Sequence, residues 1–457
     1  MTYFFETYGC EMNIAESASV EQILISRGWK KAENAQLADL VVINTCSVRG
    51  SAEERIFGRL GFFSGLKKVR SCAPDAKKRN MEIAAEYVQK NGAVPLTLIV
   101  MGCMAERLLK SLQKQWPCVD YVVGTFAKNK FGEIIQAVEE GQKYIQTDEE
   151  PVYVFAETSY EEGAFSTFVP IMHGCNNFCS YCIVPYVRGR ERSREPEKII
   201  AECRELIAQG YKEITLLGQN VNSYGKDLDT PYDFADLLAA IDAIPGEYWI
   251  RFMSSQPKDA THKLFDTMAR CWHVCKQLHL PVQSGNDRVL RAMNRPYSRA
   301  GYLSLIGYAR SVMPGLVLTS DVIIGFPGET ESEAMDTVSL VEEAKFDALF
   351  TFIFSPRPGT PAAGMADPVP REEKQKWFDR LVAVQNAYSA EKHASYIGKT
   401  VRVLVDGESD DPDWPLSCRT EGNRLVRVRG DKALIGTFAD VTIQNSNTWA
   451  LYGEAVK

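Results

Sequence analysis

The chain has 457 residues, of which 45% are hydrophobic and 24% are charged, and this composition is typical of a globular protein of about three domains. A net charge of −7 excludes RNA binding through overall charge, so any RNA contact must come from local basic patches. Twelve cysteines are too dilute for a disulfide scaffold, and the N-terminus lacks a signal peptide or membrane span, so we expect a cytoplasmic protein.

The segment up to residue 145 alternates short apolar runs with helical stretches. Three of the apolar runs end close to a cysteine, namely Cys10, Cys46 and Cys103. Buried strands that alternate with helices predict an open parallel sheet, and such sheets bind ligands beyond the carboxyl ends of their strands. The three cysteines are therefore able to converge on one site, although three ordinary buried thiols remain the alternative.

Two polar stretches interrupt the alternation of apolar runs and helical stretches. Residues 67–90 form a charged insertion that contains Cys72, for which the sequence indicates no role. Residues 146–165 are rich in Glu and are predicted to be a linker between an N-terminal domain, 1–145, and a central domain, 166–385.

The central domain contains the tightest cysteine group of the chain, Cys175-x3-Cys179-x2-Cys182. Thiolates favour zinc or an iron–sulfur centre, and zinc usually needs a second pair of Cys or His ligands, which is missing here. We therefore expect a [4Fe-4S] cluster with three protein ligands and one open iron, with zinc or three unrelated thiols as alternatives.

The sequence from residue 166 to 385 is a run of βα units, which predicts a (β/α)6 partial barrel. In such a barrel the carboxyl ends of the strands form one face, where ligands bind. The polar residues that we expect at those strand ends, with a satisfied structural hydrogen bond as the alternative for each, are Gln219, Ser254, Gln283 and Ser284.

Basic residues cluster in two places. Arg188, Arg190 and Arg194 follow the cysteine loop and are candidates for contacts with phosphate groups, the alternative being a solvated face with internal ion pairs. Residues 396–457 show period-two strands that predict a small antiparallel β-barrel, in which Arg419 and Arg424 are candidate RNA contacts. A capping domain with a solvated face is the alternative for that barrel.

The stretch from Cys175 to Cys182, with Tyr181 before its last cysteine, resembles the radical S-adenosylmethionine signature. The resemblance extends over nearly the whole chain to the methylthiotransferase family, and Cys418–Arg424 resembles the RNA-binding barrel called TRAM. The family motifs begin at Tyr8, Asn44, Gly102, Arg188, Leu217, His279 and Asp321. The chain departs from the family in a longer segment between Cys46 and Cys103, and in a cysteine at 418 where the family pattern has glycine.

The resemblance implies two [4Fe-4S] clusters and S-adenosylmethionine as cofactors. The cluster on Cys175, Cys179 and Cys182 would generate a 5′-deoxyadenosyl radical, and an auxiliary cluster on the three dispersed cysteines would hold the sulfur that is transferred. Tyr181 would lie near the adenine of the cofactor, and the strand-end residues would contact the cofactor or the substrate base.

The implied reaction is methylthiolation of C2 of N6-dimethylallyladenosine next to the anticodon of tRNA. Its partners would be the anticodon stem-loop, an electron donor and a donor of sulfur or clusters, and the protein would be a monomer. Three alternatives remain, namely a family member acting on a ribosomal-protein aspartate, one acting on threonylcarbamoyl-adenosine, and an iron–sulfur RNA-binding protein without activity.

Overall fold

A computed structural model describes residues 1–47, 50–71, 80–142, 153, 155 and 163–456. The chain divides into two compact units. The first comprises Met1–Glu161, His173–Asn176 and Ile183–Arg192, and the second comprises Glu162–Met172, Asn177–Cys182 and Ser193–Lys457. Across the described ranges, no helix combines the length and apolarity that crossing a lipid bilayer requires. The three-domain division made from the sequence stays a prediction.

The first unit is built on a five-stranded parallel sheet with strand order β2-β1-β3-β4-β5. Its strands are β1 Thr2–Thr7, β2 Lys30–Lys31, β3 Leu40–Thr45, β4 Thr97–Gly102 and β5 Tyr121–Val123. Every residue of β3 is buried, and its alternate side chains enter two cores, with Val41 and Ile43 in one and Leu40 and Val42 in the other. The predicted open parallel sheet is confirmed.

Helices cover both faces of this sheet. They are α1 Glu11–Ser26, α2 Gly50–Arg70, α3 Glu82–Asn91, α4 Cys103–Leu108, α5 Leu112–Gln115, α6 Phe131–Glu139 and α7 Val184–Arg188. The first core receives Ile56 and Leu60 from α2, whereas the second receives Leu24 from α1 and Ile134 from α6. Cys72 and most of the predicted linker 146–165 lie outside the described residues.

The second unit contains six parallel strands that follow one another in chain order. They are β6 Ser166–Pro170, β9 Glu213–Leu217, β10 Trp249–Phe252, β11 Gln277–His279, β12 Val317–Ile324 and β13 Ala348–Ile353. The strands form two three-stranded sheets, and a parallel bridge between Ile250 and Val274 connects them. This arrangement confirms the predicted (β/α)6 partial barrel.

Helices separate these strands along the chain. They are α8 Pro196–Ala208, α9 Phe234–Asp242, α10 His262–Arg270, α11 Asp287–Ala292, α12 Arg299–Val312, α13 Glu331–Ala344 and α14 Arg371–Ala394. Two short strands, β7 Met172–His173 and β8 Arg192–Ser193, pair with each other. Several helices begin at a capping residue; the Thr330 hydroxyl, for example, accepts a hydrogen bond from the Glu333 backbone and thereby fixes the start of α13.

The C-terminal part of the second unit is a closed five-stranded barrel with strand order β14-β15-β16-β18-β17, in which β17 pairs back with β14. Its strands are β14 Thr400–Glu408, β15 Leu416–Thr420, β16 Leu425–Arg429, β17 Phe438–Ser446 and β18 Leu451–Ala455. Its interior is filled by small branched side chains and by the fully buried Cys418. The predicted small β-barrel is confirmed, and Cys418 contributes to its core.

Candidate active site

The dispersed cysteines of the first unit lie at the ends of three neighbouring strands. Cys10 follows β1 and precedes α1, Cys46 directly follows β3, and Cys103 directly follows β4 and begins α4. Strands β1, β3 and β4 are adjacent in the sheet, and Thr45 pairs with Gly102 across the last two. The structure therefore places all three cysteines at one edge of the sheet.

Two glycines allow the loops at this edge to approach each other closely. Gly9 has a φ of +151°, and a Cβ atom there would lie 2.8 Å from the Cβ of Cys46. Gly102 has a φ of +95°, and a Cβ atom there would lie 2.5 Å from the Thr45 carbonyl oxygen. Any larger residue would push the cysteine loops apart, so both glycines contribute to the site.

A buried pair of asparagines ties these loops together. The Asn13 amide donates to Asn44 Oδ1 at 2.8 Å and to the Thr45 carbonyl at 3.1 Å, and the Asn44 amide donates to the Asn13 carbonyl at 2.9 Å. The Cys10 thiol donates to Asn13 Oδ1 at 3.3 Å. Both amides are fully buried. They belong to motifs visible in the sequence, but their positioning role becomes apparent only in the fold.

The environment of these thiols fits a metal centre. Burial raises the pKa of Cys103 to about 12, while the positive charge of Arg188 opposes the rise and the thiols of Cys46 and Cys10 add to it. A thiol of this kind becomes a ligand only when a metal displaces its proton. The Ser47 hydroxyl beside Cys46 is buried without a hydrogen-bond partner, as expected where a polar group would bind. In the described ranges, no three His, Cys, Asp or Glu side chains are already arranged as metal ligands.

A buried group of charges lies in the same unit. Glu16 Oε1 accepts hydrogen bonds from Arg188 Nη1 at 2.7 Å and from Lys128 Nζ at 2.6 Å. The exposed fractions of the three side chains are 2% for Glu16, 3% for Arg188 and 9% for Lys128. The Arg188 guanidinium is thus enclosed and paired with Glu16, and its contact with RNA stays a prediction.

The other two arginines after the cysteine loop have different surroundings. Arg190 is exposed, and Arg194 forms an ion pair with Glu202 that leaves 13% of the Arg194 side chain exposed. Their contact with RNA stays a prediction.

The contiguous cysteine group lies in the loop after β7. Cys175 belongs to the first unit, and Cys179 and Cys182 belong to the second. Within the second unit, the backbone N–H and the hydroxyl of Ser180 donate to the carbonyls of Met293 and Ala292 at 3.0 and 2.8 Å. These bonds hold the loop against the end of α11.

Tyr181 lies in this loop and packs against a hydrophobic cluster that includes Phe326. Its hydroxyl oxygen accepts a hydrogen bond of 2.8 Å from Arg295 Nη2. Arg295 is itself buried, and its Nε has no partner. The aromatic ring predicted to lie near adenine is thus held in place by an arginine that the sequence did not single out.

The carboxyl ends of the barrel strands carry buried polar atoms without hydrogen-bond partners. They include Asn220 Oδ1, both amide atoms of Asn222, Ser255 Oγ, Gln256 Oε1 and Gln283 Oε1. Buried polar groups are normally paired, so this set fits a polar ligand such as S-adenosylmethionine. Four of the five residues lie one to three positions from a predicted contact, and only Gln283 was itself predicted.

The four predicted strand-end residues differ in their surroundings. Gln283 is buried with a φ of 70°, and Ser254 is exposed with a φ of 68°, which is strained for residues other than glycine. Gln219 is half-buried. Ser284 is fully buried and its hydroxyl lies 3.3 Å from that of Thr337, so it joins the strand end to α13 in place of the predicted ligand contact.

The inner wall of the partial barrel carries exposed aromatic side chains that sequence reasoning missed. By strand register, Asp321 and Ile323 of β12 pair with Phe350 and Phe352 of β13, and these four share one face. The exposed fractions are 48% for Phe350 and 42% for Phe352. The alternation of Phe350 and Phe352 around one threonine was the available signal.

His279 of β11 extends this wall. Its Nδ1 lies 2.9 Å from the Thr319 hydroxyl, its Nε2 lies 3.5 Å from Asp321, and its ring packs edge-on against Phe350 with 5.7 Å between centroids. Ile323, farther along the same face, packs against the same hydrophobic cluster as Tyr181. The wall therefore leads from a polar, aromatic region toward Tyr181.

The two predicted RNA contacts of the C-terminal barrel differ in exposure, as do those after the cysteine loop. Arg424 is buried and forms an ion pair with Asp347, and its contact with RNA stays a prediction. Arg419 keeps 40% of its side chain exposed, with its Nε 3.2 Å from Asp406, and its RNA contact stays a prediction.

Three parts of the chain each match a known family. Residues 2–124 match an uncharacterized protein family, UPF0004, residues 169–341 match the Radical SAM superfamily, and residues 394–456 match the TRAM domain. A solved structure, the radical S-adenosylmethionine methyltransferase TsrM from Kitasatospora setae, aligns with a TM-score of 0.54 at 14% identity. It covers 79% of this chain and 77% of that one, which supports the fold alone.

Curated relatives match over nearly their full length. A protein from Treponema pallidum, tRNA-2-methylthio-N(6)-dimethylallyladenosine synthase, is 44% identical over 97% of this chain and 96% of its own. Proteins of the same name from Clostridium botulinum and Desulfitobacterium hafniense are each 42% identical, and they cover 99% and 98% of this chain and 97% and 96% of their own.

Proposed function

Because the chain belongs to the tRNA-2-methylthio-N(6)-dimethylallyladenosine synthase family of radical S-adenosylmethionine methylthiotransferases, we propose that it attaches a methylthio group to C2 of N6-dimethylallyladenosine next to the anticodon of tRNA. The observation that carries the proposal is the full-length identity to these relatives, in a chain with two separate cysteine groups. A hydrogen on C2 of adenine is neither acidic nor displaceable by a nucleophile, so the reaction requires radical chemistry.

The two groups of cysteines would hold different [4Fe-4S] clusters. When bound, the cluster on Cys175, Cys179 and Cys182 would supply the electron that cleaves S-adenosylmethionine, and the auxiliary cluster on Cys10, Cys46 and Cys103 would supply sulfur. The buried Cys103, the unpaired Ser47 hydroxyl and the strand-end geometry support the second ligand set.

The protein's own contribution to cofactor binding is orientation. Tyr181, fixed by Arg295, offers a partly buried aromatic face for the adenine ring. The unpaired amide oxygens of Gln256 and Gln283 are acceptors for the ammonium or hydroxyl groups of S-adenosylmethionine. Gln256 Nε2 lies 4.0 Å from Cys179 Sγ, so this side chain also lies beside the cysteine loop.

The inner wall of β12 and β13 suits the substrate base. Phe350 and Phe352 offer exposed aromatic surface for a purine that carries an apolar dimethylallyl group, and His279 and Asp321 offer polar groups beside it. Phe352 pairs with Ile323, and Ile323 and Tyr181 pack against the same hydrophobic cluster, so a base on this wall would lie near the cofactor site.

The remaining partners follow from the same reaction. The anticodon stem-loop would meet the exposed Arg190 and the partly exposed Arg194 and Arg419, since the net charge of −7 gives no general attraction for RNA. An external electron donor and a donor of sulfur or clusters are needed in each catalytic cycle. We propose a cytoplasmic monomer.

Cysteine variants separate the two clusters by function. Cys179→Ala should abolish cleavage of S-adenosylmethionine, whereas Cys46→Ala should leave cleavage measurable and stop sulfur insertion into tRNA. Cys118→Ala, a half-buried cysteine of the first unit outside both groups, is the control and should retain both activities. Cleavage is followed by 5′-deoxyadenosine release, and insertion by mass spectrometry of tRNA nucleosides.

Two results would contradict the proposal. If Cys179→Ala still cleaved S-adenosylmethionine, the contiguous cysteines would not hold the cluster that cleaves it. If Cys46→Ala gave a normal yield of methylthio nucleoside, the dispersed cysteines would not hold the cluster that supplies sulfur. The substrate is checked in cells that lack the protein, where dimethylallyladenosine without the methylthio group should accumulate in tRNA. Loss of methylthiolated threonylcarbamoyl-adenosine in its place would assign the protein to the other tRNA-modifying branch.

A further inference from the structure

The positive and negative charges of the buried group formed by Glu16, Lys128 and Arg188 do not balance. Arg188 and Lys128 contribute two positive charges, and Glu16 contributes one negative charge. Although burial alone would raise the pKa of Glu16, the charges of Arg188 and Lys128 hold it well below its usual range, so the carboxylate is ionised. Among the described residues of this buried group, one positive charge is therefore left over.

An unbalanced buried charge is costly, because the interior screens it poorly and water cannot solvate it. Among the described residues, no second carboxylate forms an ion pair with Arg188 or Lys128. The other neighbours are neutral or aromatic: the Lys128 ammonium lies 3.4 Å from the Tyr153 hydroxyl, and Arg188 Nη1 lies 3.5 Å from His173 Nδ1. We therefore expect an anion close to Arg188 and Lys128, where it would neutralise the excess positive charge.

The dispersed cysteines are the candidates for that anion. Val187, the residue before Arg188 on α7, packs against Cys103, and the Thr125 hydroxyl fixes the Val187 carbonyl at 2.5 Å. Glu16 lies on α1, which begins directly after Cys10. The Arg188 guanidinium interacts electrostatically with both Cys103 and Cys10.

We propose that Arg188, held by Glu16 and accompanied by Lys128, is the counter-charge of the auxiliary iron–sulfur cluster and raises its reduction potential. The inference rests on the proposed ligation by Cys10, Cys46 and Cys103. Three thiolates and four sulfides make such a cluster anionic, and reduction adds one more negative charge. A buried cation beside it stabilises the reduced form more than the oxidised form. Arg188 is thus a positioning residue for electron and sulfur chemistry.

The charges predict shifts of opposite sign. Arg188→Met removes the excess positive charge and should lower the reduction potential. We expect the equilibrium constant for one-electron reduction to fall at least tenfold, which is equivalent to about 59 mV. Glu16→Gln increases the excess and should raise the potential. Arg188→Lys keeps the charge and should stay near the parent. General damage to the fold would not produce opposite signs.

The experiment uses the full chain with Cys175, Cys179 and Cys182 each changed to Ala, so that only the auxiliary cluster is present. Its reduction potential is measured by dithionite titration with electron paramagnetic resonance, after iron and sulfide analysis. Arg27→Met is the matched control, because Arg27 pairs with Glu139 at 2.6 Å at the surface of the same unit and should leave the potential unchanged.

Each outcome decides a separate point. A parent that binds no iron would overturn the ligation itself, and with it the counter-charge. If the parent does bind the cluster, two results would overturn the counter-charge and leave the ligation intact. The reduction potentials of Arg188→Met and Glu16→Gln would both equal that of the parent, or both would shift from it in the same direction. If Arg188→Met fails to fold, an upward shift in Glu16→Gln supports the inference and an unchanged potential contradicts it.

Discussion

Glu329 is a buried carboxylate just after β12. One of its carboxylate oxygens accepts hydrogen bonds from the backbone N–H groups of Gly325 and Phe326, and the other is buried without a partner. Burial raises its pKa to about 7, although the two backbone donors oppose the rise. The residue therefore titrates near neutral pH in the folded protein.

This shift predicts a pH-dependent stability. Since the folded-state pKa lies above the ordinary value of 4.5, the folded protein retains the proton longer, and stability should fall as pH rises from about 4.5 to about 7. Glu329→Gln keeps the acceptor oxygen and removes the titration. Relative to this variant, the wild type should lose about 3 kcal/mol between about pH 5 and about pH 8. Calorimetric unfolding at both pH values measures the difference.

A control variant separates this effect from a general pH trend. Glu331→Gln alters an exposed carboxylate of the adjacent helix that pairs with Arg380 at the surface, and it should follow the wild type at every pH. Parallel stability curves for the wild type and Glu329→Gln would show that Glu329 does not titrate in this range.

Single residues also show where sequence reasoning stops. The arginines at 188 and 424 were counted as basic surface, but their partners, Glu16 and Asp347, lie 172 and 77 residues away in the chain. Local pattern cannot reveal an ion pair formed across such distances, because the pairing depends on the tertiary fold. The cysteines, by contrast, could be located at strand ends because each lies within a few residues of the end of an apolar run.

At the level of elements, the strands were the most predictable feature. Apolar runs marked β3, β4 and β12 to within a few residues, because buried parallel strands are apolar on both faces. The same property concealed the function of β13. Its residues Ala348–Ile353 are almost all apolar, so the sequence did not show that Phe350 and Phe352 are exposed.

The exposed face of β13 gives a prediction on substrate recognition. Phe352→Ala should raise the KM for tRNA that carries dimethylallyladenosine about tenfold, because one aromatic contact with a base or an apolar group contributes about 1–2 kcal/mol. Cleavage of S-adenosylmethionine without tRNA should persist. Steady-state methylthiolation of an anticodon stem-loop measures the change. Thr351→Ala, on the opposite face of the same strand, is the control, and an equal KM for both variants would exclude the wall as the base site.

Over the second unit as a whole, buried arginines join the partial barrel to the C-terminal barrel. Arg251 of β10 donates to the carbonyls of Thr420 and Glu421 at 2.9 and 2.5 Å, and it also pairs with Glu213. Arg424 and Asp347 make a second buried connection. The two barrels of this unit are thus held by charged hydrogen bonds to the backbone.

This connection predicts how the unit loses its structure. Arg251→Met leaves Glu213 and two carbonyls without their donor and should cost about 3 kcal/mol. Arg402→Met, the control, breaks an exposed pair with Glu247 and should cost less than about 1 kcal/mol. Thermal unfolding gives the two values, and limited proteolysis should cleave the C-terminal barrel first in Arg251→Met. Similar losses in both variants would show that the buried arginine does not hold the barrels together.

The positions of the auxiliary cysteines at the ends of β1, β3 and β4 affect the biogenesis of the protein. Cys10 and Cys103 are 93 residues apart (103 − 10), whereas the contiguous group fits within the eight residues from Cys175 to Cys182. A nascent or unfolded chain can already gather the contiguous thiols around iron, because the loop to be closed is short. The dispersed thiols meet only after three parallel strands have paired, which is a slow, long-range step. An auxiliary cluster held by the proposed ligands would therefore be inserted only after the sheet has folded, and its donor would have to deliver it to an already folded domain.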